Sequence, residues 1–290
     1  MLDPWLDQPG AMDQLTAWSN LANLDLLTHG TTSPAQVIQD TAIAQPLLTA
    51  TTLLSYQAWL AAQPGVQVGA VAGHSVGEFA AAAIAGVLTP EDAIQAVAAR
   101  GRAMAACAGA TATGLAALLG GQPDQVLAAI KAVGATPANL NGPGQIVAGG
   151  TIAALDRLAA NPPTRTRVVR LDVAGAFHTD FMAPAQDTLA NTMAALPIKD
   201  ASYPLIANGD GRAVTRGSDI VGRLVEQVTR PVRWDLVQQT LLAMGATEVL
   251  ELAPSGVLTG LAKRGLPGCA AAAYQPSGQP KPAMARLARA

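Results

Sequence analysis

Gly73-His74-Ser75-Val76-Gly77 is the one G-x-S-x-G pentapeptide in the sequence. Residues Gly65 to Ala72 before it read as a short buried strand, and the Ala-rich stretch after it reads as a helix to about Ala85. Between a strand and a helix, this pattern forms a tight elbow that raises the Ser hydroxyl at the carboxyl end of the sheet, where open α/β folds bind ligands. Glycines are expected on either side of the serine, because bulkier side chains clash in so sharp a turn. The backbone N–H of Val76 and the helix N-terminus then face any oxyanion that develops on a substrate. The chemistry implied is acyl transfer through Ser75. The plain alternative is a Gly-rich turn with a Ser N-cap.

A Ser hydroxyl needs a base. The chain has three histidines, His29, His74 and His178, and none has metal-ligand spacing. His74 sits beside the nucleophile, so its ring is expected to point elsewhere and pack or line the pocket. His178, in Gly175-Ala176-Phe177-His178-Thr179, lies in a loop after a predicted strand, where a base would be placed. On spacing alone a loop histidine is more often structural, and that alternative stays open here.

The elements that must hold these residues follow from periodicity and end signals. Ser33-Pro34 reads as a helix start with a Ser N-cap and Pro at the first helical position. Gln45-Pro46 reads as a second start, with Leu47, Thr51, Leu54 and Ala58 on one face. Thr89-Pro90-Glu91-Asp92 is a third, with acids on the positive end of the dipole. Strands at Gly114–Leu119, Thr136–Leu140, Gln145–Ala148 and Val168–Val173 enclose helices at Pro123–Val133 and Thr151–Ala160, a βαββαβ order of ferredoxin-like type. Residues 112–176 are therefore expected to form a small subdomain inserted into a large α/β core made of 1–111 and 177–290. A helix near Phe181 to Ala195 resumes the core. Strands at Tyr203–Ala207, Thr247–Leu252 and Ala270–Tyr274 alternate with helices, which predicts a parallel sheet with helices on both faces. The run Gln275 to Pro282 reads as a linker or loose end.

Composition narrows the classes. Half of the 290 residues are hydrophobic and 13% are charged, which excludes a disordered chain. The balance of 18 basic against 20 acidic residues argues against a nucleic-acid binder. The longest apolar stretch, Phe79 to Leu88, is too short to span a bilayer, and no signal peptide is evident, so a cytoplasmic protein is expected. Cys107 and Cys269 make no disulfide framework and read as reduced thiols.

Six blocks carry a resemblance. GHSVGEFAAAAIAGVLTPEDAI, AARGRAMAAC, NLNGPGQIVAGG, GAFHTDFMAPA, LVEQVTRPVRW and ELAPSGVLTGLAKR resemble, in order, malonyl-CoA:acyl carrier protein transacylases. With the stretch AWSNLANLDLL, the GAFH block most resembles the actinobacterial members of fatty acid synthesis. The resemblance implies a hydrolase-like α/β core with a ferredoxin-like insert, and transfer of malonyl from malonyl-CoA to the phosphopantetheine thiol of acyl carrier protein, by ping-pong kinetics. It implies Ser75 as nucleophile, His178 as base, Arg100 as the grip on the malonyl carboxylate and Gln227 as the residue that orients His178 through its backbone carbonyl. It places Asn141 and Gln145 at polar positions near the site, candidate pocket-lining residues like His74. Phe177 resembles the malonyl-selective pattern, in which a bulky ring leaves less room for an α-methyl group. Without the family, Arg100 reads as a surface helix arginine. No metal or redox cofactor is implied, and a monomer is. Arg165, Arg167 and Arg170 are a candidate docking patch for the acidic carrier protein, or simply solvated charges at a strand edge.

The family opens with a strand and a Gly-Gln-Gly-x-Gln turn, which supplies its second oxyanion donor. Neither is in this sequence, which leads to the expectation that the true start lies upstream. Two other readings follow. One is a serine esterase or thioesterase with the same elbow. The other is a truncated, catalytically impaired homologue that binds acyl carrier protein.

Overall fold

The computed structural model describes residues 1–274, so the predicted loose run from Gln275 lies outside the described residues. Six helices come first: α1 (Ala11–Ala22), α2 (Leu26–Thr31), α3 (Ala35–Ile38), α4 (Thr41–Ala62), α5 (Gly77–Ile84) and α6 (Pro90–Ala110). Leu15, Trp18 and Ala22 of α1 are fully buried against Leu47 and Leu54 of α4 and Ile94 and Ala98 of α6. Trp18 also donates its indole N–H to Glu91 at 3.2 Å, so the large ring is buried without an orphaned donor. The helix start expected at Thr89 forms, and as a capping box: the Thr89 hydroxyl accepts from Asp92 N–H, and Asp92 accepts from Thr89 N–H.

Two helix starts differ from the sequence expectation. Ser33-Pro34 opens only the four-residue α3, with Pro34 itself in extended backbone before it. Gln45-Pro46 starts nothing, because α4 already begins at Thr41, where Asp40 caps the Ala42 N–H at 2.8 Å. The proline is carried inside α4, where burial on the core outweighs the loss of one helical hydrogen bond. One glycine sets how α4 and α6 meet. A Cβ on Gly101 would lie 2.7 Å from the Thr41 carbonyl oxygen, so only glycine lets the helices approach there. That approach puts Gln45 of α4 against Arg100 of α6.

Next come β1 (Thr113–Gly120), α7 (Pro123–Ala132), β2 (Thr136–Leu140), β3 (Gln145–Thr151), α8 (Ile152–Ala160) and β4 (Thr166–Arg170). They make a four-stranded antiparallel sheet in the order β2-β3-β1-β4, with a register shift between Pro137 and Asn139. Strand alternation divides the sheet. Ala116, Leu118, Ile146 and Ala148 pack under α7 and α8. Leu115, Ala117 and Val147 face the other way, towards Phe177.

The described residues end with α9 (Ala183–Ala194), β5 (Leu205–Ile206), β6 (Ala213–Val214), α10 (Gly217–Glu226), α11 (Trp234–Ala243), β7 (Glu248–Glu251), α12 (Val257–Gly265) and β8 (Ala270–Ala273). Parallel pairing joins β7 to β8 and bridges Val71 to Leu205. Gly65–Ala72 is not a buried strand. Gln67 and Gly69 are exposed, and Gln67 to Ala70 make no backbone hydrogen bond among the described residues. The segment is held by side-chain packing of Val66, Val68, Ala70 and Ala72 and by Val71, whose N–H donates to Pro204 and whose carbonyl accepts from Ile206, each at 2.9 Å. That anchor comes just before the elbow. Behind it, Phe79, Val97, Met104, Leu205 and Leu224 share one buried cluster that holds α5, α6 and α10 together. No described helix is long and apolar enough to cross a membrane.

Candidate active site

Ser75 stands between Val71 and α5 with a φ of +54°, a left-handed conformation that a non-glycine residue adopts only where its surroundings enforce it. Asn208, just after β5, does the enforcing. Its Oδ1 accepts from Ser75 N–H at 2.8 Å and its Nδ2 donates to the Gly73 carbonyl at 2.7 Å. Gly77 and Glu78 donate their N–H groups back to His74 and Ser75. Val76 N–H is left with no partner among the described residues, as an oxyanion donor needs. The two glycines of the motif are not equivalent. A Cβ on Gly73 would lie 2.0 Å from the Gly77 carbonyl oxygen, whereas one on Gly77 meets nothing within 4 Å. The expectation that the turn demands glycine on both sides holds for the first position only.

His178 also has a positive φ, +62°. Its Nε2 lies 2.7 Å from Ser75 Oγ and its Nδ1 2.8 Å from the Gln227 carbonyl. A carbonyl can only accept, so Nδ1 carries the proton and Nε2 is left with a lone pair for the serine hydroxyl. Burial, with the Arg100 charge nearby, pushes the imidazole down to about 3. It is therefore neutral at pH 7, the form a general base requires.

Arg100 is fully buried, at 1% exposure. Its Nη1 donates to Gln45 Oε1 at 2.6 Å and its Nη2 to Gln227 Oε1 at 2.9 Å, and the guanidinium lies 5.6 Å from the Phe79 ring centre. Its Nε is buried with no partner. Burial lowers Arg100 to about 10, which leaves it cationic at neutral pH. The guanidinium, Gln45, Met104, Phe177 and Ser75 all border one cavity of about 130 Å³. A buried cation thus borders the same small chamber as the Ser75 hydroxyl. The arrangement suits an acyl group that ends in a carboxylate.

The acyl transferase domain family matches residues 13–281 of the chain. The malonyl-CoA-acyl carrier protein transacylase of Mycobacterium tuberculosis is 48% identical over 95% of this chain and 91% of its own length. The chain belongs to the malonyl-CoA:acyl carrier protein transacylase family. The Mycolicibacterium smegmatis transacylase is 46% identical over 92% of this chain and 94% of its own length. The crystal structure of MCAT from Mycobacterium tuberculosis superposes with a TM-score of 0.91, over 94% of this chain and 90% of that one. A malonyl-transacylase in complex with a type II PKS acyl-carrier protein gives 0.88 at 28% identity, over 96% of this chain and 92% of that one.

Against this transacylase framework, Ser75, Val76, Arg100, Phe177, His178 and Gln227 come together in one place. His74, Asn141 and Gln145 do not border the cavity. His74 turns away from it, with Nε2 2.9 Å from Asn141 Oδ1 and its ring 5.4 Å from that of Trp234. Gln145 is half-buried and accepts from Arg264 at 3.1 Å. The candidate docking arginines do not share a face. Val168 packs under the subdomain helices, and Arg170, two residues on, reaches Gly114 on that same side. Arg167, opposite Leu119, takes the other face. Three buried residues of the transacylase site escaped the sequence reading: Gln45, Glu78 and Asn208. Glu78 sits in the first turn of α5, where an acid passes for a helix-dipole partner. Gln45 and Asn208 carry no local signal, because only the α4–α6 approach and the turn after β5 bring them in.

Proposed function

We propose that this chain transfers a malonyl group from malonyl-CoA to the phosphopantetheine thiol of acyl carrier protein, through a malonyl ester of Ser75. The observation that carries the reading is the shared cavity: the buried, cationic Arg100 on one side, and Ser75, held by His178, on the other. Ser75 Oγ attacks the thioester carbonyl as His178 Nε2 takes its proton, and Val76 N–H receives the oxyanion. Collapse breaks the C–S bond, and the departing thiolate takes the proton from His178. The carrier thiol then gives its proton to His178 and attacks the ester carbonyl, and as the ester C–O bond breaks Ser75 Oγ takes that proton back from His178. A thiolate leaves far more readily than an amine, so a backbone carbonyl suffices to hold His178 where proteases use a carboxylate. The malonyl carboxylate on Arg100 also offsets the charge that depresses His178, so the bound substrate makes its own base stronger.

Protons move only among Ser75, His178 and two thiols, so the cycle calls for neither a metal nor a redox cofactor. Phe177 fills the wall where an α-substituent would sit. In the same reading, 112–176 form a small subdomain on a core of 1–111 and 177–290, and the protein works in the cytoplasm, in keeping with two free cysteines. The test is the intact mass after brief incubation with malonyl-CoA. One malonyl adduct is expected, absent in Ser75→Ala. No adduct on the unmodified chain overturns the reading.

A further inference from the structure

Glu78 is a buried carboxylate that the reaction above does not use. It is 1% exposed, in the first turn of the helix that follows the nucleophile. Its two oxygens are divided between two tasks. Oε1 accepts from the backbone N–H of Asn208 at 2.9 Å, and Oε2 accepts from Nε2 of Gln227. Asn208 is the residue whose amide clamps Gly73 and Ser75. Gln227 is the residue whose carbonyl holds His178 and whose Oε1 holds Arg100.

The Gln227 amide has an oxygen end and a nitrogen end, and only one orientation fits its neighbours. Nε2 faces two acceptors, Glu78 and the Ser75 carbonyl, the latter at 3.0 Å. Oε1 faces a donor, Arg100 Nη2. Flipped, the amide would set N–H against N–H at Arg100 and oxygen against oxygen at Glu78. Resting on the site reading above, we propose that Glu78 is a positioning residue that fixes the orientation of Gln227 and the place of Asn208 together, and so sets the substrate grip and the nucleophile elbow from one buried carboxylate. A carboxylate is needed because both neighbours are donors. Glutamine at this position has the same shape but one acceptor, so either Asn208 N–H or Gln227 Nε2 must face an N–H₂ group.

The test compares the wild-type chain with Glu78→Gln at pH 8.5, where Glu78, which burial raises to about 7, is ionised. The KM and kcat for malonyl-CoA and the rate of Ser75 labelling by an uncharged fluorophosphonate are measured beside the melting temperature. The fluorophosphonate reports the Ser75–His178 pair without using the Arg100 grip. The expected result is a folded variant with KM raised at least fivefold and labelling slowed at least tenfold. A folded variant with both within twofold of wild type overturns the proposal. So does a loss of kcat that only tracks the unfolded fraction, with KM and the labelling of folded protein unchanged. Where Glu78→Gln does not fold, Glu78→Asp decides, because it keeps both acceptors but stands one carbon short of Gln227. A threefold or greater fall in labelling and rise in KM supports the proposal, and wild-type values overturn it. A wild-type chain that takes no malonyl on Ser75 overturns the site reading and this proposal with it; an acylated wild type beside an unaltered variant overturns the proposal alone.

Discussion

Oε1 of Gln227 accepts a hydrogen bond from Nη2 of Arg100 at 2.9 Å, while Gln45 Oε1 holds Nη1 at 2.6 Å. Two neutral amides therefore aim the guanidinium without neutralising it, and its charge stays available for a substrate carboxylate. Removing the guanidinium should cost the part of substrate binding that depends on that carboxylate. For Arg100→Ala, the kcat/KM for malonyl-CoA is expected to fall about 10²–10³-fold, equivalent to about 3–4 kcal/mol. Acetyl-CoA, which has no carboxylate to lose, should change less than about tenfold by the same reasoning. Steady-state kinetics with both thioesters check this. An equal loss with both would mean that Arg100 holds the fold rather than the substrate.

The elbow gives a sharper contrast, because its two glycines face different surroundings. Gly73→Ala drives a methyl group into the backbone of Gly77 and Glu78, which cannot yield without moving the nucleophile. A destabilisation of about 3 kcal/mol or more is expected in urea unfolding, with loss of Ser75 acylation. Gly77 stands in open space at the start of α5. Gly77→Ala should fold as well as wild type or gain about 0.5 kcal/mol from the reduced freedom of the unfolded chain. Equal behaviour of the two variants would contradict the geometry.

What the sequence made legible was local or carried by long matches. The G-x-S-x-G turn and the helix start at Thr89-Pro90 depend on residues a few positions apart, the βαββαβ order on a succession of short segments, and each appears where expected. Ser75 and His178 are 103 positions apart, and the extended resemblance, not spacing, linked them. Pro46 misled because propensity argues for a break, whereas a helix buried against α1 and α6 tolerates the lost bond. Gly65–Ala72 misled because an apolar run says nothing of whether neighbouring backbones will pair with it. Gln45 and Asn208 were illegible because an amide's role is set by what tertiary packing puts opposite it. His74 was read as packing or lining the pocket; its ring packs beside Trp234 and its Nε2 lies 2.9 Å from Asn141 Oδ1.

Phe177 borders the same cavity as Ser75 and Arg100 and packs against the face of the small sheet formed by Leu115, Ala117 and Val147. Its ring is thus fixed from behind and cannot swing away for a larger acyl group. Phe177→Ala should open the wall and raise the preference for methylmalonyl-CoA over malonyl-CoA by about tenfold, as one methyl group is worth roughly 1–3 kcal/mol in an apolar pocket. Competition between the two thioesters, read as the mass of the Ser75 adduct, measures the ratio directly. An unchanged ratio would move the selectivity to Met104 or another wall of the cavity.

The depressed basicity of His178 has a consequence for stability with a definite sign. Folded, the imidazole takes up a second proton, on Nε2, only below about pH 3; unfolded, it returns to the ordinary value of 6.5. Above pH 6.5 neither state binds the proton, and His178 contributes no pH dependence. As the pH falls below 6.5, the unfolded chain takes up a proton that the native chain refuses, and stability drops by about 1.4 kcal/mol per pH unit. Glu78 works in the opposite sense: burial pushes it up to about 7 from 4.5, so the native chain binds its proton first and that contribution is lost as the pH rises through 7. The wild-type curve therefore mixes the two slopes, and a variant is needed to separate them. His178→Ala removes only the first. Relative to wild type, it should gain about 2 kcal/mol between pH 7.5 and pH 5. Urea unfolding of both proteins at the two pH values gives the difference. No relative gain would mean that His178 titrates in the native chain near its ordinary value, with Ser75 deprived of a neutral base below pH 6.5.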